Sequence, residues 1–184
     1  MSERPRIFRD YLGEAPVISA DTRRVSCFFT GHRDFAPDDA SSALLSETVD
    51  SLIRLGVTHF YAGGARGFDT FAEITVLNRR LKNPSLTLTL ALPFDGYRHV
   101  SDRIMKARFE AITGICDEIV YLRPAYSPDC YQARNIYMAD RSAYCVSWQT
   151  RPGGGTANAV NYARRAEVRI IELAKAAGSV PDQR

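Results

Sequence analysis

A glycine-rich segment in the first half of the chain has the residue types of a phosphate-binding turn. It reads Y-A-G-G-A-R-G-F-D and joins an apolar run to a helical pattern. Gly63, Gly64 and Gly67 permit a tight turn, which would present backbone N–H groups at the positive end of a helix dipole. Arg66 beside them can bind an anion with two hydrogen bonds. The segment therefore predicts a phosphate site, and the alternative is an ordinary helix start in which glycine serves packing and Asp69 favours the dipole.

The rest of the chain alternates predicted strands and helices. Apolar runs predict strands at 25–30, 57–62, 86–92, 118–122, 143–148 and 168–173. Helical spacing of apolar residues predicts helices at 37–55, 68–81, 101–113, 131–141 and about 157–166. The Leu-Thr alternation in the third strand indicates two unlike faces. Such alternation predicts an α/β fold, an open parallel sheet with helices on both faces.

We expect one domain over residues 1–184. Residues 1–24 are interpreted as a polar lead-in and residues 174–184 as a frayed tail, because neither carries a regular apolar pattern. Neither an internal repeat nor a low-complexity linker divides the sequence.

Ligands of open parallel sheets bind beyond the carboxyl ends of the strands, where the chain order reverses. Glycine, arginine, hydroxyl and aromatic residues come after several predicted strands, and we expect them to converge at one rim. Such a set suits the phosphates, ribose and base of a nucleotide. The candidates from strand ends are Thr30, Gly31, His32, Arg33, Gly63, Gly64, Arg66, Gly67, Pro93, Phe94, Gly153, Gly154, Gly155 and Thr156.

Composition restricts the class of protein. The net charge is +3, and the 24 Lys and Arg residues are interspersed with 21 acids, so a nucleic-acid partner is not expected. Residues 1–24 lack the apolar run that is typical of a signal peptide, and no run in the sequence approaches the length of a membrane span. The four cysteines form no C-x-x-C pair and are interpreted as buried free thiols. We therefore expect a cytoplasmic protein with no membrane partner, and a homo-oligomer stays open.

The histidines lack the spacing of metal ligands, so no metal site is expected. Of the three, only His32 lies at the predicted rim, where it is a candidate for ligand contact. No Ser/His/Asp or Cys/His spacing indicates nucleophilic catalysis, and the catalytic residues stay unknown. Asp69 is a candidate ribose ligand or general base, or else completes the turn.

The motif order T-G-H-R, G-G-A-R-G-F-D, Y-Q-A-R-N and P-G-G-G-T resembles the SLOG superfamily of Rossmann-like proteins, named for the Smf/DprA and LOG families. The similarity extends over residues 25–173 and is strongest to the YpsA-type branch. It implies a sheet with the strand order 3-2-1-4-5 and a pocket for a nucleotide or a nucleotide-derived ligand. Motif positions of the superfamily add Arg134 and Asn135 to the candidate ligand-binding residues, and they include Asp69.

Two differences from other branches bear on function. The LOG branch, which removes ribose phosphate from cytokinin nucleotides, has a catalytic glutamate after its glycine turn, whereas here Thr156 is followed by Ala157 and Asn158. The Smf/DprA branch matches the A-R-G-F-D and A-R-N segments, but this chain is not strongly basic.

We therefore expect a protein that binds a small nucleotide, its phosphate held by the glycine-rich turns. No cofactor is certain, and an NAD or ADP-ribose type of ligand belongs to this class. An N-glycosidic hydrolase of nucleotides, with Asp69 or another rim carboxylate stabilising the ribosyl centre, is the alternative. Single-stranded DNA binding is a lesser alternative, and whether the protein is an enzyme stays open.

Overall fold

A sheet of seven strands runs through residues 4–98 and 102–177, which the computed structural model describes. The strands are β1 (Arg6–Arg9), β2 (Ser26–Gly31), β3 (His59–Ala62), β4 (Thr87–Leu92), β5 (Glu118–Tyr121), β6 (Tyr144–Trp148) and β7 (Arg169–Glu172). The helices in these ranges are α1 (Ala20–Arg24), α2 (Asp39–Arg54), α3 (Phe68–Arg80), α4 (Arg103–Ile115), α5 (Cys130–Asp140), α6 (Gly154–Arg165) and α7 (Leu173–Ala177). A 3-10 turn at Asp10–Leu12 comes after β1.

Every strand pair in the sheet is parallel, and the spatial order is β1-β5-β4-β3-β2-β6-β7. Helices α2, α3 and α4 pack beside one another, and α5 packs against α6. The apolar side chains of these two groups belong to two separate clusters, one on each face of the sheet. The prediction of a Rossmann-like α/β fold with a parallel sheet is confirmed.

The strand order expected from the superfamily resemblance is wrong in one respect. It placed the fourth predicted strand beside the first, whereas β5 pairs with β4, with Thr89 opposite Glu118. Helix α4 packs beside α3 and so carries the chain one strand further outward, instead of returning it to β2. The order reverses only after α5, when β6 pairs with the other side of β2. The reversal therefore lies between β2 and β6.

The predicted lead-in and tail both contain regular structure. Residues 6–9 form β1, which pairs with β5 and is held there by an ion pair between Arg6 and Glu118. A strand of four residues with an arginine at each end gives no apolar pattern, which explains why the sequence did not reveal it. Residues 173–177 form α7, which packs against α2. The rest of the predicted tail, 178–184, lies outside the described residues.

Strand β4 differs from its prediction as well. It was expected to have one apolar and one polar face, but five of its six residues are buried because it lies between β3 and β5 with helices on both sides. The hydroxyl of Thr89 donates to the Glu118 carboxylate at 3.1 Å, so the buried threonine is satisfied by its neighbouring strand.

Side-chain caps decide where two helices begin. Asp38 accepts from the Ser41 amide at 2.7 Å, and the Ser41 hydroxyl accepts from the Asp38 amide, which forms a capping box before α2. Asp102 accepts from the Ile104 amide and starts α4. The predicted first residue of this helix, at 101, lies outside the described residues.

The four cysteines, Cys27, Cys116, Cys130 and Cys145, are buried and free, as the sequence predicted. Among the described residues, no helix is long and apolar enough to span a membrane.

Glycine is required where the loop after β2 crosses the start of α3. Gly67 has φ +80° and ψ −124°, and a Cβ atom there would lie 2.6 Å from the carbonyl oxygens of His32 and Arg33. Gly114, near the end of α4, has an ordinary φ and open space around its Cα hydrogens. The two glycines therefore form a matched pair for testing this crossing.

We expect Gly67→Ala to lower the free energy of unfolding by about 2 kcal/mol or more, because backbone strain and the carbonyl clash add. Gly114→Ala should raise it by about 0.5–1 kcal/mol, since alanine is the better helix former. Urea unfolding of both variants measures the difference. If Gly67→Ala were as stable as the parent protein, the close crossing would not exist.

Candidate functional site

A cavity of about 530 Å³ opens at the carboxyl ends of β2 and β6, where the strand order reverses. Three chain segments that the sequence had identified meet there: the end of β2, the start of α6, and helix α5. Open parallel sheets bind ligands at such reversal points. The lining residues are Thr30, Gly31, His32, Arg33, Ala65, Asp69, Tyr131, Arg134, Asn135, Met138, Arg151, Gly153, Gly154, Gly155 and Thr156.

Helix α5 contributes one continuous stripe to the cavity wall. Tyr131, Arg134, Asn135 and Met138 have the i, i+3, i+4, i+7 spacing of a single helix face. The carbon of the Arg134 guanidinium lies 5.6 Å from the centre of the Tyr131 ring, and that of Arg33 lies 5.3 Å from the same ring. The tyrosine thus holds two cations at the cavity by cation–π contact.

Arg134 and Asn135 also connect the two glycine turns. The Arg134 Nη1 donates to the Gly63 carbonyl at 3.3 Å, and its Nη2 donates to the Asn135 side-chain oxygen at 3.0 Å. Asn135 Nδ2 in turn donates to the Gly155 carbonyl at 3.4 Å. Both side chains are buried, so the chain of contacts from β3 through α5 to α6 is protected from water.

Two buried carboxyl groups lie behind the cavity. Asp69 lines it and is 4% exposed, and Glu73, one helical turn further along α3, is 1% exposed. Burial raises the pKa of Asp69 to about 6, although Arg134 and the backbone near Gly63 oppose the rise. Burial, with the charge of Asp69, raises the pKa of Glu73 well above its usual range.

The first glycine turn is closed inward, which differs from the sequence expectation. The Gly64 amide, predicted to be free for a phosphate, donates to the Glu73 carboxyl at 3.1 Å. A Cβ atom on Gly64 would lie 2.5 Å from the Leu92 side chain, and one on Gly63 would lie 2.8 Å from Arg134 Nη1. Neither glycine lines the cavity, and of residues 63–67 only Ala65 contributes to its wall.

The second glycine turn is open. Helix α6 begins at Gly154 and not near 157 as predicted, so the glycines form its first turn. The N-terminal residue Gly153 provides no side-chain cap, and a Cβ atom on Gly154 or Gly155 would meet no atom within 4 Å. The first amides of a helix have no partner inside it and lie at the positive end of its dipole.

His32 has a structural contact at the cavity edge. Its Nε2 accepts from the Thr150 amide at 3.0 Å, which requires the proton on Nδ1 and fixes the loop between β6 and α6. Burial lowers the pKa of His32, and the charge of Arg151 lowers it further. Arg151 itself forms two hydrogen bonds to Asp34, at 2.8 and 3.0 Å.

The predicted site residues divide into three groups. Eleven of them line the cavity: Thr30, Gly31, His32, Arg33, Asp69, Arg134, Asn135, Gly153, Gly154, Gly155 and Thr156. Arg66 and Gly67 line a neighbouring cavity that shares Arg33 with the first. The last group lies outside the lining and consists of Gly63, Gly64, Pro93 and Phe94. Pro93 and Phe94 come after β4, which is two strands away from β2. Phe94 packs edge-on against Tyr97 and Tyr126 instead.

Sequence reasoning missed four lining residues: Ala65, Tyr131, Met138 and Arg151. Tyr131 and Met138 could have been found from Arg134, because they lie three residues before it and four after it on the same helix face. Arg151 gives no such signal. Among the described residues, no group of three His, Cys, Asp or Glu side chains is placed to hold a metal ion.

The buried Asp69 carboxyl should make stability depend on pH. Its pKa is raised on folding, so the folded protein binds this proton more tightly, and the free energy of unfolding falls as pH rises from about 4 to 6. Asparagine cannot ionise, so Asp69→Asn removes this decrease in the free energy of unfolding. We expect the variant to be more stable than the parent by about 1–3 kcal/mol at pH 8 and by much less at pH 4.

Urea unfolding at the two pH values measures this difference, and the exposed Glu47→Gln on α2 is the control of equal charge change. An Asp69→Asn variant that is equally destabilised at both pH values would show that the ionised carboxylate is needed for folding.

Comparison with known proteins agrees with this fold. DNA processing protein A from Helicobacter pylori superimposes with a TM-score of 0.59 at 17% identity, covering 82% of this chain and 65% of that one. The protein of the same name from Streptococcus pneumoniae gives 0.57 at 15% identity, covering 79% of this chain and 48% of that one. This chain thus spans less than two thirds of either neighbour. At such identities the likeness is one of fold alone.

No protein-family model matches the chain. The uncharacterised SPbeta prophage-derived protein YoqJ of Bacillus subtilis (strain 168) is 30% identical over 134 residues, which cover 66% of this chain and 78% of that protein. The chain therefore belongs to the family of the Bacillus subtilis protein YoqJ.

Proposed function

We propose that this protein binds a nucleotide or a nucleotide-derived small molecule in the cavity between β2 and β6. The phosphate would lie against the first turn of α6, which has no side-chain cap and where a Cβ atom on Gly154 or Gly155 would meet no atom within 4 Å. This open turn is the observation on which the proposal depends. Helix N-termini with bare glycines are suited to phosphate because amides and dipole act together.

The side chains around the turn support an anionic ligand. Arg33 is exposed at the cavity, and within the described residues it makes no ion pair that would neutralise it. Arg134 adds a second positive charge, held in place by Gly63 and Asn135. A volume of about 530 Å³ lies within the range of about 300–1,000 Å³ that is usual for small-molecule sites.

The opposite wall suits the rest of a nucleotide. Tyr131 offers an aromatic surface on which a base can pack. Asp69 lies in the same cavity, where its carboxyl group can accept hydrogen bonds from ribose hydroxyls.

Within the SLOG superfamily, the motif order supports the YpsA-type branch, and the free thiols support a cytoplasmic protein.

N-glycosidic hydrolysis is a second candidate, favoured by one observation. Asp69 is a cavity carboxyl with a pKa of about 6, which lies in the range where a side chain can act as general acid or base near neutral pH. Incubation with AMP, NAD and ADP-ribose tests it. If the parent protein releases free base or ribose phosphate and the Asp69→Asn variant does not, the protein is a hydrolase. If the three compounds stay intact, the protein binds nucleotides without cleaving them.

Single-stranded DNA binding is the third candidate, because the fold is shared with the Helicobacter pylori protein whose structure describes such binding. The small net charge of +3 with interspersed acids favours a small ligand instead. A long strand would need a continuous basic surface, whereas Arg151 at the cavity edge is already paired with Asp34.

The open glycine turn allows a substitution that separates binding from folding. In Gly155→Val, the added Cβ would lie in open space on the first turn of α6, with no protein atom within 4 Å, where the proposed phosphate binds. We expect the melting temperature to stay close to that of the parent and the affinity for AMP to fall by about 10–100-fold, the loss of one charged hydrogen bond or more.

Calorimetric titration with AMP measures the affinity. Gly114→Val, a helix glycine with open space on α4, is the matched control and should bind AMP as the parent does. Equal AMP affinity in parent and Gly155→Val would place the phosphate elsewhere. The closed turn is unsuitable for this test, because Gly64 has φ +64° and its Cβ would strike Leu92.

A further inference from the structure

A second cavity of about 420 Å³ adjoins the first, and Arg33 lines both. Arg33 and its neighbours in the loop after β2 form one side of the second cavity, and helices α3 and α4 form the others. The nucleotide proposed above does not use it. Its lining residues are Arg33, Asp34, Phe35, Pro37, Arg66, Gly67, Thr70, Phe71, Ile74, Asp102, Met105 and Arg108.

The cations of this cavity are not neutralised. Arg66 and Arg108 are exposed, and neither forms an ion pair or a side-chain hydrogen bond within the described parts of the chain. The two carboxylates of the cavity, Asp34 and Asp102, already have hydrogen-bond partners. Asp34 binds Arg151 through two hydrogen bonds, and Asp102 accepts from the amides at the start of α4. The cavity therefore has an excess of positive charge.

The wall between these cations is apolar. Phe35 and Phe71 lie 5.8 Å apart between ring centres, and Ile74 and Met105 line the same cavity. Apolar and aromatic surface next to unpaired arginines suits nucleotide binding, because the base packs on the apolar side chains and the guanidinium groups bind the phosphate. Together the two features favour a nucleotide over a simple anion or a purely apolar ligand.

We propose that the second cavity is a second nucleotide subsite, so that the ligand consists of two phosphate-linked nucleotides. This inference rests on the function proposed for the first cavity. One nucleotide occupies the cavity at α6, the base of the other packs on Phe71 and Met105, and its phosphate pairs with Arg66 and Arg108. Arg33, common to both cavities, binds the link between the two halves.

Calorimetric titration with ligands of one, two and ten nucleotides tests the inference. AMP fills only the first subsite, and the dinucleotides pApA and NAD present a phosphodiester and a pyrophosphate link. We expect at least one dinucleotide to bind about tenfold more tightly than AMP or better, and which of them gains identifies the link. A ten-residue oligoadenylate should bind no more tightly per molecule than pApA beyond the statistical factor.

The double variant Arg66→Ala/Arg108→Ala should reduce the favoured dinucleotide to the affinity of AMP while AMP itself binds as before. The control is Arg54→Ala/Lys82→Ala, which removes the same charge from exposed positions outside both cavities. Its dinucleotide affinity should stay close to that of the parent, because long-range attraction at physiological salt is screened.

Three results would overturn the second subsite while leaving the first intact: equal affinities of AMP and both dinucleotides, equal losses for AMP and dinucleotide in the double variant, or a ten-residue oligoadenylate that binds more tightly than pApA beyond the statistical factor. The last would indicate a nucleic-acid strand as the ligand. Failure of the parent protein to bind AMP, NAD or pApA would contradict the function proposed for the first cavity itself.

Discussion

The buried contact between Arg134 and Asn135 is the interaction on which the geometry of the site depends. Arg134 holds the backbone at Gly63, and Asn135 holds the backbone at Gly155, so one helix fixes two loops that come after different strands. Replacing either side chain would leave buried polar groups without partners, which costs about 1–3 kcal/mol for each group. The same two residues line the cavity, so the element that binds the loops together also forms a wall of the site.

The two glycine turns have similar sequences but different physical roles. At the first, the Gly64 amide donates to the Glu73 carboxyl and the Gly63 carbonyl accepts from Arg134, so these two backbone groups are already paired inside the protein. At the second, the start of α6 has no side-chain cap, and its glycines face open space. The difference arises from the helix after each turn, because α3 carries two acids that reach back toward its own start and α6 carries none there.

The sequence predicted six of the seven described strands because each of the six lies in an apolar run. It could not predict β1, whose four residues carry two arginines and are stabilised by pairing with β5. It also misplaced β5, since the choice between continuing outward and returning to β2 depends on how α4 packs on α3. Local patterns define elements, whereas the order of a sheet is decided by contacts between elements distant in the chain.

The candidate site was likewise predictable in part from local motifs and in part only from long-range contacts. Motif spacing identified the end of β2, the A-R-N segment and the start of α6, which meet at the cavity. It did not indicate that the Gly64 amide is used by Glu73, because a buried carboxyl nine residues along the chain cannot be distinguished from a solvated one by sequence. Motif spacing also assigned Arg66 to the phosphate of the first cavity, whereas the Arg66 side chain lines the neighbouring cavity.

A crystal structure of the protein with AMP bound would show where the phosphate lies. We expect phosphate oxygens within about 3 Å of the backbone nitrogens of Gly154 or Gly155, with the Arg33 guanidinium beside them. A phosphate bound at the turn formed by residues 63–67, or an AMP molecule bound outside the cavity between β2 and β6, would contradict this expectation.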